Sequence, residues 1–264
     1  MPNRPSVVTT GLARTFQTRR GPVEAVRSVD LTVERGEILG FLGPNGAGKT
    51  TTLRMLTTLL PPTGGSATVA GCDLARDPAG VRRRIGYVAQ SGGVDPAVSV
   101  REELTTQGRL YRLSKATAAA RAEELAAELD LTGLLDRRCS ALSGGQRRRL
   151  DIAMALIHRP EVLFLDEPTT GLDPGSRADL WDLIRRVRAE RGTTVFLTTH
   201  YLDEADALAD RLVVVDGGRI AAEGTAAALK EAYGGSPDAS LQDTFIAITG
   251  RGATPDAPAA PVAV

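Results

Sequence analysis

The chain has 264 residues, with 32 basic and 32 acidic side chains and so a formal net charge of zero, which excludes nucleic-acid binding driven by bulk positive charge. Its 42% hydrophobic and 24% charged residues describe a globular protein able to bury a core in one or two domains. It has no run of about 18 apolar residues to span a bilayer, and Met1-Pro2-Asn3-Arg4-Pro5 lacks the apolar stretch of a secretory signal.

In chain order, residues 23–33 alternate in the manner of an antiparallel strand. Residues 38–42, Ile-Leu-Gly-Phe-Leu, read as a strand buried on both faces, followed by a glycine-rich turn and a helix from about Lys49. A short strand over 85–89 runs into Gln90. From about 100 to 138 no strand-like run occurs, and Ala118, Ala122, Leu125 and Leu129 share one helical face, which predicts a helical insertion. Another helix is expected to follow Leu142-Ser143-Gly144-Gly145-Gln146 as far as about His158. Residues 161–166 and 193–198 read as further buried strands. Beyond Gly234 a short helix over 241–248 carries Leu241, Phe245 and Ile248 on one side. After Gly250 the chain is rich in Pro and Ala and is expected to be disordered. Short strands alternating with helices predict an α/β fold with a largely parallel core sheet.

Cys72 and Cys139 make neither a disulfide framework nor a zinc spacing, and are expected to be reduced and partly buried. Only Lys49, Lys115 and Lys230 are lysines, which draws attention to what an ammonium does at each. The first has an answer. Gly43-Pro44-Asn45-Gly46-Ala47-Gly48-Lys49-Thr50 fits G-x-x-x-x-G-K-[ST] between a strand and a helix, the context the motif requires. The glycines let backbone N–H groups turn onto phosphate oxygens at a helix N-terminus. Lys49 offers a cation to the β- and γ-phosphates, and Thr50 a hydroxyl to Mg²⁺. The pattern arises by chance with a probability on the order of half a percent in such a chain, so it marks a nucleotide site.

Four further elements narrow the class. The strand at 162–166 ends in Asp166 and Glu167, and a carboxylate pair there can hold Mg²⁺ and orient an attacking water. Taken alone, two acids after a strand are equally an ordinary solvated turn. Ser143-Gly144-Gly145 at a helix start is a second anion-binding geometry or a plain serine cap. Gln90 opens an irregular segment, and His200 follows a strand tip from which it can reach a γ-phosphate. His158 lies near a helix C-terminus, where a positive or polar side chain is favoured, and the run Arg147 to Arg149 reads as a solvated helix face rather than a nucleic-acid patch.

In this order and spacing, these pieces resemble the nucleotide-binding subunit of ABC transporters over roughly residues 6–229. The resemblance implies a P-loop core with a mostly parallel sheet, an antiparallel β subdomain and a helical signature subdomain at about 95–158. It implies an ATP-binding domain over 1–234, a helical extension over 235–250, and a tail over 251–264. Gly43 to Thr50 matches Walker A, with Thr51 next in the helix, 162–166 matches Walker B, and Glu167 the catalytic glutamate. His200 matches the switch histidine, and Asp173 in Gly171-Leu172-Asp173-Pro174 the D-loop. Mg²⁺ would be held by Thr50, Gln90 and Asp166. Ser143, Gly144, Gly145 and Gln146 would complete the ATP site of a partner chain. The family often stacks a tyrosine on adenine, whereas this chain offers Phe16, which keeps the π face but not the hydroxyl.

The resemblance further implies an ATP-bound homodimer on the cytoplasmic face of the membrane. It would be attached peripherally to a separate permease, with no direct membrane insertion and no nucleic acid. The segment after Gln90, including 94–100, and the helical region would form the docking surface. The stretches Ser143-Gly-Gly-Gln-Arg-Arg-Arg-Leu-Asp-Ile-Ala153 and Thr199-His-Tyr-Leu-Asp-Glu-Ala-Asp206 look like those of daunorubicin-resistance type drug exporters. The competing classes are a soluble ABC ATPase acting on nucleic acid or ribosomes, and a P-loop kinase. The first generally needs coiled coils, zinc modules or tandem cassettes, which this sequence lacks. Leu142 to Gln146 and His200 argue against the second.

Overall fold

Side-chain alternation sorts this chain into layers. The computed structural model describes residues 4–236 and 238–250, so the expected tail lies outside the described residues. The chain begins with β1 (Val7–Thr18), β2 (Gly21–Val33), β3 (Ile38–Leu42), α1 (Lys49–Leu56), β4 (Gly64–Val69) and β5 (Cys72–Asp73). It continues through α2 (Pro78–Arg84), β6 (Ile85–Val88), α3 (Val100–Leu110), α4 (Lys115–Glu128) and α5 (Gly144–Leu156). The last third comprises β7 (Val162–Asp166), α6 (Pro174–Arg191), β8 (Thr194–Thr199), α7 (Leu202–Leu208), β9 (Arg211–Asp216), β10 (Arg219–Gly224), α8 (Ala226–Gly234) and α9 (Leu241–Thr249).

One sheet has the order β2-β1-β4-β5 and is antiparallel; the other has the order β10-β9-β3-β8-β7-β6, parallel except for the β9–β10 pair. Every residue of β3, β7 and β8 is buried, as expected of strands covered on both faces. Leu39, Phe41, Val162, Phe164 and Phe196 face a core shared with α1 and the antiparallel sheet. The alternate residues Ile38, Leu163, Leu165, Val195 and Leu197 face a second core shared with α3, α4, α5 and α6. The helical region therefore packs on the sheet directly and has no separate core of its own.

Local chemistry sets the helix ends. Ser99 and Glu102 form a capping box at α3, and Ser114 caps α4. Asp173 caps α6 ahead of Pro174, and α6 stops at Gly192 with φ 63°. Leu241 and Phe245 of α9 share a third core with Leu229 of α8, Leu42, Leu212 and Val214, and Ile248 packs against it.

One local expectation is corrected and another is narrowed. Alternation in β2 breaks at Ser28, whose φ of 91° marks a bulge; Val26 and Val29 are both buried while Val23 is 51% exposed. Of the positive and polar roles expected of His158, the structure gives it the polar one. Its ring stacks on Tyr111 with centroids 3.6 Å apart, Nε2 lies 2.9 Å from the Ile85 carbonyl oxygen, and burial pushes its pKa down to about 4. It is a neutral link between the end of α3 and β6. Both cysteines are free and buried, and burial raises the Cys139 thiol to about 11.

Phe196 lies between Phe41 and Phe164, with ring centroids 5.3 and 5.5 Å away. Truncating it opens a cavity in the middle of the sheet. Phe196→Ala is expected to cost about 3–5 kcal/mol, read as a lower denaturant midpoint with an unchanged slope.

Candidate functional site

Strands buried on both faces can carry polar groups only at their tips, and the tips of β3, β7 and β8 lie side by side. Two of the glycines after β3, Gly43 and Gly48, are required by close approach. A Cβ on Gly43 would meet the Val215 carbonyl oxygen at 2.4 Å, and one on Gly48, at φ +100°, the Ala25 carbonyl oxygen at 2.4 Å. Between them Asn45 and Gly46 are exposed, and Pro44 is half-buried. Ala47 is buried, and its N–H donates to the Pro44 carbonyl. The loop delivers Lys49, buried, to the first turn of α1, with Thr50 and Thr51 half-buried after it.

The Lys49 ammonium donates to the carbonyls of Gly43 at 2.7 Å and Pro44 at 3.2 Å, and lies 3.5 Å from Glu167 Oε1. Burial lowers its pKa, opposed by the Glu167 and Asp166 carboxylates. Glu167 is the hub of the site. Gln90 Nε2 donates to its Oε2 at 3.0 Å, His200 Nδ1 lies 3.2 Å from its Oε1, and the Thr170 hydroxyl donates to Oε2 at 3.4 Å. Burial pushes its carboxyl up, but His200 and Lys49 together outweigh this and hold it below the ordinary glutamate range. Its backbone is left-handed, with φ 46°, and is held by its N–H donating to the Thr198 carbonyl at 3.1 Å and hydroxyl at 3.2 Å.

Asp166 accepts from the Thr198 hydroxyl at 2.6 Å and from the Thr50 hydroxyl at 3.1 Å. Adjacent ligands of an octahedral Mg²⁺, at about 2.0–2.1 Å each, stand about 3 Å apart. Thr50 and Asp166, both hard oxygen donors, meet that spacing. Among the described residues no group of three or more His, Cys, Asp or Glu side chains could hold a metal by itself, so such an ion would need ligands from phosphate and water.

The structure thus brings Gly43 to Thr50, Gln90, Asp166, Glu167 and His200 together. It does not bring the other motif to them. Ser143 and Gln146 bond reciprocally as a capping box at α5, and Ser143 and Gly144 are exposed. Asp173, also exposed, accepts from the N–H and hydroxyl of Ser176, and a Cβ on Gly145 would meet that hydroxyl at 3.1 Å. Phe16 pairs with Val23 between β1 and β2, with the Arg14 guanidinium 4.7 Å from its ring centroid.

Two participants escaped the sequence reading. Thr198 braces the Asp166 carboxylate and the Glu167 backbone N–H, and only the β7–β8 register reveals it. The expectation of a solvated arginine run is overturned: Arg147 is exposed, but Arg149 is half-buried against Asp130 and Asp179, and Arg148 is buried with its guanidinium on main-chain carbonyls. The available signal was periodicity, since Arg148, Ile152 and Ala155 fall on the buried face of α5.

The ABC transporter family pattern matches residues 26–170. The chain belongs to that family. It is 50% identical over 229 residues to the daunorubicin/doxorubicin resistance ATP-binding protein DrrA of Streptomyces peucetius, covering 87% of this chain and 68% of that one. To the Nod factor export ATP-binding protein I of Burkholderia lata it is 42% identical over 243 residues, covering 89% and 79%. Among solved structures it is similar to a dimeric ATP-binding cassette in a post-hydrolysis state with ADP and Pi, at a TM-score of 0.75 and 25% identity, covering 83% and 98%. As an ABC ATPase subunit the chain binds nucleotide and hydrolyses ATP. Members of the family with this organisation work with separate membrane permeases, and among the described residues no helix is long and apolar enough to cross a membrane.

The depressed Glu167 has a consequence for stability. Its carboxylate contributes stability above the unfolded value of about 4.3, and that contribution is lost as pH falls through the lower folded value. Without nucleotide, Glu167→Gln is expected to show a smaller loss of unfolding free energy between pH 6 and pH 3 than wild type. Denaturant titrations across that range check it.

Proposed function

We propose that this chain is the ATP-hydrolysing motor of a drug exporter, acting as an ATP-closed homodimer docked on a separate permease at the cytoplasmic face of the membrane. The observation that carries the reading is the convergence of Lys49, Gln90 and His200 on Glu167, beside the Asp166–Thr50 pair. Export of a drug-like substrate is supported by the resistance and export relatives.

In this reading the Gly43 to Gly48 loop wraps the phosphates with its N–H groups, Lys49 draws negative charge from the β- and γ-phosphates, and Thr51 follows in the helix turn that carries Thr50. Phe16 stacks on the adenine. Thr50, Asp166 and Gln90 would hold Mg²⁺, which would supply positive charge to offset that of the phosphates. Glu167 orients a water and accepts its proton as the water oxygen bonds to the γ-phosphorus and the bond to the ADP oxygen breaks. His200 faces the same phosphate. Ser143, Gly144, Gly145 and Gln146 offer an exposed helix start to the ATP of a partner chain, with Asp173 at the subunit boundary. Residues 1–234 act as the ATP-binding unit, 95–158 as its signature subdomain, and 235–250 as an extension. The segment after Gln90 and the helical region take the permease.

Glutamine keeps the shape of Glu167 but cannot take a proton from water, and it removes a negative charge near the γ-phosphate. Glu167→Gln is therefore expected to lower turnover at least about 100-fold while MgATP, but not ADP, gives a long-lived dimer. Phosphate release and size-exclusion chromatography with light scattering read the two effects. Wild-type turnover in the variant refutes the catalytic assignment. Lys49→Ala is expected to lose ATP binding by calorimetry with the fold retained.

A further inference from the structure

Arg148 is only 6% exposed, on the face of α5 that also buries Ile152 and Ala155. A guanidinium in such a place is tolerated only when its donors are matched. Here Nε donates to the Pro168 carbonyl at 2.7 Å, Nη1 to the Ala89 carbonyl at 2.6 Å and Nη2 to the Asp166 carbonyl at 3.1 Å. These acceptors flank the functional residues: Ala89 precedes Gln90, and Asp166 and Pro168 bracket Glu167.

Asp151, one turn further along α5, extends the same clamp. Its Oδ2 lies 3.7 Å from Arg148 Nη1, and a Cβ on Gly92 would approach it to 2.8 Å. The segment after Gln90 therefore lies directly on this carboxylate. Burial pushes the Arg148 pKa down and that of Asp151 up, each opposed by the other's charge. Val94 and Val98 of the same segment also pack against the core below. Beside the segment is a cavity of about 190 Å³ bordered by Tyr87, Gly93, Gln107 and Met154.

The other end of α5 is the exposed Ser143 cap. Arg148 stands five residue steps from it, about 7.5 Å of stiff rod at 1.5 Å per residue, with no loop between. We propose that Arg148 is a positioning residue that locks Gln90 and the Glu167 turn to the signature helix, so that closure of a partner's ATP onto Ser143 aligns the hydrolytic groups of Arg148's own chain. The proposal rests on the composite-site reading above. Arginine suits the task because its fixed fork of five donors reaches carbonyls in different directions, whereas an ammonium presents its donors from one point.

The test uses the full chain with Arg148→Lys and Arg148→Met, measuring steady-state ATP hydrolysis, MgATP affinity by calorimetry, ATP-dependent dimerisation in a Glu167→Gln background, and thermal unfolding. The expected result is a kcat at least about tenfold lower in Arg148→Lys, with MgATP affinity within about twofold of wild type and the ATP-dependent dimer retained. Arg148→Met is expected to lose more turnover. The Lys variant keeps the charge and most of the volume, so the test stands even if the Met variant does not fold. Wild-type kcat in Arg148→Lys overturns the proposal. So does a parallel fall of kcat, affinity and melting temperature, which marks a merely structural residue. If wild type and Lys49→Ala are equally inactive, the reading of the site itself fails and takes the proposal with it, a result distinct from a defect confined to Arg148.

Discussion

The parallel register between β7 and β8 is the constraint on which the site depends. It sets Asp166 opposite Thr198, and β3 in turn sets Leu42 opposite Thr199. Because side chains alternate, a slip of one residue would turn Phe164 and Phe196 out of their shared core. The aromatic packing of the sheet interior therefore holds the hydroxyl of Thr198 at 2.6 Å from the Asp166 carboxylate. From that pair the rest follows: Asp166 meets Thr50 across the strand tips, and Thr198 also holds the backbone of Glu167.

Several charged groups are buried within this small volume, and each is matched. Lys49 has loop carbonyls and Glu167; Glu167 has Lys49, Gln90 and His200; Arg148 has three main-chain carbonyls and Asp151. A lone buried charge would cost several kcal/mol, so removing one member exposes the others to that penalty. Glu204 of α7 belongs to the same economy of burial. It is fully buried, takes the Trp181 indole N–H at 3.3 Å, and its carboxyl is pushed up by desolvation. Arg148 of α5 thus holds carbonyls at and after the tip of β7, while the Trp181 indole of α6 ties Glu204 of α7 in place.

The geometry also explains why one chain presents two unlike surfaces. The phosphate loop, Glu167 and His200 form a cluster whose donors and acceptors are paired with one another. Ser143, Gly144 and Asp173 form an outward edge whose bonds are local caps. An exposed helix start has spare N–H groups and a partial positive charge, which in the proposed homodimer would face the nucleotide of the other chain.

Much was legible in the residues alone. Unbroken apolar runs marked the buried strands, because a strand covered on both faces has no polar side to show. Gly43 to Thr50 marked the phosphate loop, because only glycine allows those close backbone approaches, and the order of the motifs identified the family. What the residues could not carry was the fate of polar groups that packing buries. Arg148 sits in an arginine run that reads as solvated, Thr198 is one of two adjacent threonines at a strand end, His158 stands near a helix terminus, and Ser28 hides a bulge in an alternating strand. Whether such a group meets water or a carbonyl depends on which distant segment lies against it. That is decided by the packing of whole elements, since burial is a property of the assembled layers and not of any stretch of chain.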